Sequence, residues 1–230
     1  MQTADVPDTC TQGIFKKEIK NRFLCLVNVD GVDVVCYIPS SCRLSNFLDL
    51  SNRIVLLKPV ITKNARTKYS VYAVKYGRNY ILLNLSQSNR VIEEQIGRRY
   101  FSFLGKRKSV SRETTVSGYK SDLFIRDTNT IVEIKSILAF ERETLFPTVY
   151  SQRSLKQLVN ILRLLDEGYK VCYIFVSLNP RVKVLEINRD ISDFFDLFCK
   201  CAKKGMQYYG YSVRLDNSKP TLYAQVSIKL

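Results

Sequence analysis

Asp122 is followed eleven positions later by Glu133-Ile134-Lys135, a spacing that can bring two carboxylates and an amine to one place. Ser121 to Arg126 is rich in strand formers, Asp127-Thr128-Asn129-Thr130 has turn chemistry, and Ile131 to Ile137 resumes a strand pattern, so the two segments read as a hairpin. With Thr128-Asn129 as the turn centre, Asp122 faces Lys135 across the ladder and Glu133 is its diagonal neighbour at roughly 7–8 Å. Strand side chains alternate, so all three share a face while Val132 and Ile134 point into a core. Carboxylates that close repel, and a hard cation such as Mg²⁺ (or Mn²⁺) relieves the repulsion, taking one or two carboxylates and leaving other positions to water and phosphate oxygens. Lys135 would orient the attacking water. This is the chemistry of phosphodiester hydrolysis. The same spacing also describes a surface strand whose charges pair across the ladder.

A chain of 230 residues, 46% hydrophobic, can bury a sizeable core and hold one large domain or two small ones. Its longest apolar runs, such as Ile54 to Leu57 and Val171 to Leu178, are too short to span a bilayer, and Met1 to Asp5 has no basic or apolar block. A cytoplasmic protein without a membrane partner is the expectation. The seven cysteines are odd in number and several sit in apolar strand patterns, which predicts reduced thiols. There is no histidine, which excludes Ser-His and Cys-His nucleophiles and argues against zinc at Cys199 and Cys201.

Thirty-six Lys and Arg against 21 Asp and Glu give a formal +15, and a basic surface attracts polyanions, with nucleic acid, DNA or RNA, the first partner to consider. Residues 1–108 hold 18 basic and 8 acidic side chains, leaving 18 and 13 for 109–230. Generic basicity is the competing explanation.

Five short strands are expected in the first third: Phe23 to Val29 and Val32 to Ile38 around Asp30-Gly31, then Arg53 to Lys58, Tyr69 to Tyr76 and Tyr80 to Leu83. They suggest a five-stranded oligonucleotide-binding (OB) barrel over residues 1–86. Tyr69, Tyr72, Tyr76 and Tyr80, interleaved with Lys63, Arg66, Lys68, Lys75 and Arg78, suit a single-strand stacking groove, and equally suit ordinary strand tyrosines. A helix is expected from Asn89, with Glu93 and Glu94 in its first turns. Leu155, Leu158, Val159, Leu162 and Leu165 predict a second helix stopped by Gly168, with Arg153, Lys156, Gln157 and Asn160 on its polar face. Val171 to Ser177 reads as a buried strand, Ile191 to Lys204 as an amphipathic helix, and Tyr208 to Leu215 and Leu222 to Ile228 as closing strands, giving a mixed sheet flanked by helices over residues 87–230.

The order of several segments resembles the SfsA, or sugar fermentation stimulation, family along nearly the whole chain. Ile38-Pro39-Ser40-Ser41-Cys42-Arg43-Leu44 is similar to its C-P-N-T-G-R-M, Arg66-Thr67-Lys68-Tyr69 to R-K-T-x-Y, and Asn89 to Ile96 to N-R-L-V-x-E-A-I. Gly118 to Leu123 stands where the family has G-S-R-x-D-F, Val132 to Ser136 where it has V-E-V-K-S, and Leu145 to Leu158 follows L-F-P-D-A-x-T-x-R-G-x-K-H-L. The resemblance implies an α/β protein with an OB-like barrel followed by a restriction-endonuclease-like PD-(D/E)xK nuclease domain. By position it implies Asp122, Glu133 and Lys135 as catalytic residues, with Asp122, Glu133 and Glu94 as metal ligands, although Glu94 is equally explained as a helix acid. Arg43, Arg66, Lys68, Arg90, Lys120, Arg153 and Lys156, in or beside these segments, are the candidate nucleic-acid contacts. Thr148, Ser154 and Gln157 depart from the family's Asp, Gly and His. A metal-dependent nuclease is therefore expected first, with a non-catalytic DNA-binding regulator of sugar metabolism genes and a protein-interaction module as alternatives.

Overall fold

The computed structural model describes residues 10–19, 23–39, 43–46, 48–62, 64–216 and 219–230. Lys63 of the suggested stacking groove and Ser40-Ser41-Cys42 of the early motif lie outside them. The N-terminal strands are β1 (Thr11–Glu18), β2 (Leu24–Val29), β3 (Val32–Tyr37), β4 (Ile54–Pro59), β5 (Tyr69–Tyr76) and β6 (Asn79–Leu82). The hairpin expected at Asp30-Gly31 is present: Val29 pairs with Val32, and both turn residues have positive φ, 50° and 86°, the geometry that matches strand twist. Parallel pairing of Cys36 with Tyr69 closes β1 to β5 into a five-stranded barrel, and β6 extends it from β5.

The ring thus includes β1, which the sequence pattern does not suggest, in place of the expected Tyr80 to Leu83 strand. Only Gly13 and Phe15 of β1 are buried, and a bulge between Phe15 and Lys17 breaks its alternation. Gly13 is required there, because a Cβ would lie 2.6 Å from Val27 Cγ1 and 2.9 Å from the Asn28 carbonyl oxygen. Tyr72 and Tyr80 point into the core, at 5% and 4% exposure, so the tyrosine run is largely interior packing rather than an open stacking groove.

The chain continues through α1 (Ser86–Gln95), β7 (Val110–Arg112), the small hairpin β8 (Thr115–Val116) and β9 (Tyr119–Lys120), then β10 (Leu123–Ile125), β11 (Thr130–Ile137) and β12 (Glu143–Phe146). It ends with α2 (Gln152–Asp166), β13 (Lys170–Ser177), β14 (Val184–Ile187), α3 (Ser192–Lys203), β15 (Gln207–Asp216) and β16 (Lys219–Lys229). Eight strands form one mixed sheet in the order β12-β14-β16-β15-β13-β11-β10-β7. The central β11 and β13 are parallel and covered on both faces, which is why their sequences run apolar without alternation. Val132, Ile134, Cys172 and Ile174 join the core of the barrel and α1. Ile131, Tyr173 and Phe175 pack with Leu158 and Ile161 of α2 and Phe194 and Phe198 of α3. No helix among the described residues is long and apolar enough to cross a membrane.

The β10–β11 hairpin has a different register from the one expected. Leu123 pairs with Val132 and Ile125 with Thr130, because the connection is a four-residue turn, Arg126 to Thr128 in a 3-10 helix and Asn129 left-handed at φ 53°. The slip is two residues, so every side chain of β11 keeps its expected face. Helix α1 also starts three residues earlier than expected. Glu93 and Glu94 therefore lie in its last turn, where Glu94 is compensated by Arg90 one turn back.

Candidate active site

β10 begins only at Leu123, so among the described residues the edge of β11 beyond Val132 has no strand partner on that side. Asp122 takes its place: Oδ2 accepts the Ile134 backbone N–H at 2.8 Å, and Oδ1 accepts the Asn89 side-chain amide of α1 at 3.1 Å. The carboxylate substitutes for a ladder carbonyl, fixing Asp122 against the strand that carries the other two residues. Glu133 and Lys135 project from the opposite face to Ile134, toward α2.

Glu133 is 2% exposed and has three donors. Lys135 Nζ lies 2.7 Å and Gln157 Nε2 2.8 Å from its Oε1, and the Tyr119 hydroxyl donates to Oε2 at 2.6 Å. Lys135 Nζ also donates to Gln157 Oε1 at 2.6 Å, so ammonium, carboxylate and amide close a triangle. Such a buried charge is tolerable only when paired and hydrogen-bonded, and every contact here serves that need. The pKa of Asp122 is raised from its ordinary value of 3.8, first by burial and then by the charge of Glu133, against the lowering effects of the Ile134 amide, Lys135 and Asn89. Burial and the neighbouring Glu133 carboxylate push Tyr119 far above the ordinary phenol value, so its hydroxyl is a fixed donor. Tyr173, beside Glu133 on β13, is fully buried, and its hydroxyl has no hydrogen-bond partner among the described residues.

Among the described residues no three His, Cys, Asp or Glu side chains form a metal cluster. Two carboxylates alone still suit a cation that keeps most of its water. The two oxygens of Asp122 each accept one hydrogen bond, and Oε2 of Glu133 accepts one, which leaves three lone-pair positions for a hard cation. A cleft of about 260 Å³ adjoins this centre, lined by Lys135 and Ser136 of β11, Leu85, Leu145, Pro147 and Ser151 among others. The Ser151 hydroxyl caps α2 on the Ser154 N–H at 3.3 Å, setting the helix start at the cleft mouth.

Asp122, Glu133 and Lys135 are thus gathered at one point. Glu94 is exposed and bonded to Arg90 at 2.8 Å, and the α1 residue that reaches Asp122 is Asn89. The candidate cations are spread out. Arg43 borders a hollow at the start of the barrel, Arg66 is exposed in the β4–β5 connection, and Lys68 lies 5.4 Å over the Tyr69 ring. Lys120 pairs with Glu113 at 2.7 Å, while Arg153 and Lys156 are exposed on α2 near the site. Asn89, Tyr119 and Gln157 are not among the site residues expected from sequence; Gln157 alone of the three carried a signal, as the residue that stands where the family has His on the polar face of α2.

Matches with known proteins agree with this fold. The family described as the sugar fermentation stimulation protein RE domain matches residues 86–219, and the SfsA N-terminal OB domain matches 19–83. A sugar fermentation stimulation protein homolog of Clostridium perfringens (strain 13 / Type A) is 25% identical over 215 residues, covering 91% of this chain and 93% of the relative. One from Caldanaerobacter subterraneus subsp. tengcongensis is 23% identical over 214 residues, with the same coverage of 91% and 93%. The solved structure of Pyrococcus furiosus SfsA in complex with Ca²⁺ superposes with a TM-score of 0.81 at 18% identity over 100% of both chains, a likeness of fold. With both domain descriptions matched in order, the chain belongs to the SfsA family.

Proposed function

We propose that this protein is a divalent-metal-dependent nuclease that hydrolyses phosphodiester bonds in DNA or RNA. The observation that carries the reading is the convergence of Asp122 and Glu133 where β10 leaves β11, with the Lys135 ammonium 2.7 Å from Glu133 beside an open cleft. Asp122 and Glu133 would hold Mg²⁺ or Mn²⁺; the Ca²⁺ in the Pyrococcus furiosus relative supports a divalent site. Such an ion supplies Lewis-acid polarisation of phosphate and activation of water. Lys135 positions water and stabilises charge developing on phosphorus. Asn89 holds Asp122, and Tyr119 and Gln157 hold Glu133, so the carboxylates keep one geometry through the reaction. Glu94 would join the metal set only by releasing Arg90.

Residues 1–86 would form the nucleic-acid-binding barrel and 87–230 the nuclease domain. Arg43, Arg66, Lys68, Arg90, Lys120, Arg153 and Lys156 would grip phosphates, with Arg153 and Lys156 nearest the chemistry. Free thiols at Cys25, Cys36, Cys172 and Cys201, raised by burial, accord with a cytoplasmic location.

The second reading, a non-catalytic DNA-binding regulator, is favoured by one contact: Gln157, where the family has His, occupies Lys135 at 2.6 Å. The test is incubation of labelled single- and double-stranded DNA and RNA with Mg²⁺, Mn²⁺ or EDTA. Cleavage that needs metal and disappears in Asp122→Ala and Lys135→Ala supports the nuclease. Salt-sensitive binding with no cleavage in any metal leaves the regulator.

A further inference from the structure

A second concentration of charge lies away from the carboxylates, where the barrel meets the carboxyl ends of β11 and β13. Arg142 sits in the connection from β11 to β12, Arg181 and Lys183 in that from β13 to β14, and Asn79 opens β6. With Tyr223 of β16 they line a concavity of about 190 Å³. Barrel and sheet are tied together there by the Leu82 N–H donating to the Leu178 carbonyl at 3.1 Å.

Arg142, Arg181 and Lys183 are all exposed, and none forms an ion pair among the described residues, although Glu141 and Glu143 flank Arg142 in the chain. Aromatic rings place two of these cations instead. Arg181 lies 5.2 Å from the Tyr76 ring and Lys183 5.6 Å from Tyr223. Arg53 adds a fourth positive charge, 5.6 Å from Tyr76 and 4.4 Å from Phe140, two rings that stack at 4.8 Å. A ring orients a cation without neutralising it, unlike a carboxylate, so the charge remains available to an anion. Tyr223 itself is 46% exposed, with Arg214 5.0 Å from its ring.

We propose that this concavity binds an unpaired segment of nucleic acid, with backbone phosphates on Arg142, Arg181 and Lys183 and a base stacked on Tyr223. Cations interleaved with an open aromatic are what sequence-tolerant single-strand binding requires. The exposed Tyr223 ring can stack only a base free of its own helix, which the paired interior of a duplex does not offer. The inference rests on the nucleic-acid reading above and adds to it a strand type and a place.

The test is anisotropy titration of a labelled single-stranded oligonucleotide, and of its duplex, over a salt series. The wild type is compared with an Arg142→Ala/Arg181→Ala/Lys183→Ala variant, with Tyr223→Ala, and with a charge-keeping Arg142→Lys/Arg181→Lys variant whose circular dichroism controls for folding. The triple alanine variant should weaken single-strand binding at least about tenfold and flatten the log K against log salt slope by about 2, at about 0.7 per lost contact. Tyr223→Ala should cost about tenfold with little change of slope. The charge-keeping variant should retain the wild-type slope. Titrations of the alanine variants that overlay the wild type overturn the site, and equal losses for duplex and single strand overturn the strand assignment. A wild type that binds no oligonucleotide at all removes the nucleic-acid reading itself, an outcome visible before any variant is made.

Discussion

Lys135→Met asks whether the ammonium compensates Glu133 in the fold. Glu133 has 2% of its surface exposed, and the Lys135 side chain keeps 17%. Removing one partner of a buried pair costs ~3–5 kcal/mol, mostly the penalty of the charge left behind. Gln157 and Tyr119 still donate to Glu133 in the variant, and the partial exposure of Lys135 screens the lost attraction, so the loss should be about 2–3 kcal/mol. For a chain of this size that corresponds to a fall in Tm of roughly 4–12 °C. Urea titration at neutral pH reads the change directly, with an unchanged m-value showing that the same surface is exposed on unfolding. Lys135→Met/Glu133→Gln should be more stable than Lys135→Met alone, because the stranded charge is gone. Divalent cation should narrow the deficit as well, since two carboxylates without the lysine bind it more tightly, and each tenfold gain in affinity is about 1.4 kcal/mol. A single variant within about 0.5 kcal/mol of wild type would refute the compensation argument. A deficit indifferent to Mg²⁺, Mn²⁺ and Ca²⁺ would leave the pair structural.

Asp122→Asn tests the other carboxylate through pH. Its folded pKa lies above the ordinary 3.8, so its charged form costs stability above the folded pKa, and that cost disappears as pH falls through the folded pKa toward 3.8. The Asn variant should be more stable than wild type at pH 7 and gain less on acidification; urea midpoints with equal pH slopes would contradict the assignment. Tyr119→Phe removes one donor from buried Glu133 and should cost about 1–2 kcal/mol in the same assay. Gly13→Ala forces a Cβ against Val27 and the Asn28 carbonyl and should cost about 1–3 kcal/mol, read as a lower thermal midpoint. Ser151→Ala removes the α2 cap and should cost about 1 kcal/mol by urea titration, with no measurable loss telling against the cap.

The parts of the fold that were legible in sequence are those dictated by short-range chemistry. Asp30-Gly31 can adopt the two positive φ values that a two-residue hairpin needs, and its register followed. The leucine spacing of α2 and the apolar run of β13 similarly reported their burial. What was missed depended on a partner distant in the chain. β1 is a stave because Gly13 lets Val27 approach, and nothing local to Thr11–Glu18 says so. The turn after β10 misled for a related reason: Asp127 accepts the Ser109 N–H at 2.6 Å, so a residue read as part of a tight turn is anchored beside the start of β7, eighteen residues back in the chain, and the turn widens.

The site divides along the same line. Alternation along β11 is a property of any strand, so Glu133 and Lys135 could be placed on one face before their surroundings were known, and a two-residue slip could not disturb that. Asp122 was placed near them by the wrong route. It does not oppose Lys135 in a ladder; it ends the ladder and takes over the Ile134 N–H. The groups that hold the three in position come from α1, from the β8–β9 hairpin and from α2, at separations of 33, 14 and 24 residues. Asn89, Tyr119 and Gln157 are ordinary residues for a helix, a strand and a polar helix face. Their role follows from a physical requirement that composition cannot express: a carboxylate as buried as Glu133 must find donors wherever the fold brings them. A sequence can therefore nominate charged groups for chemistry, while the neutral groups that keep those charges folded and aimed emerge only once the strands, the helices and the barrel are assembled around them.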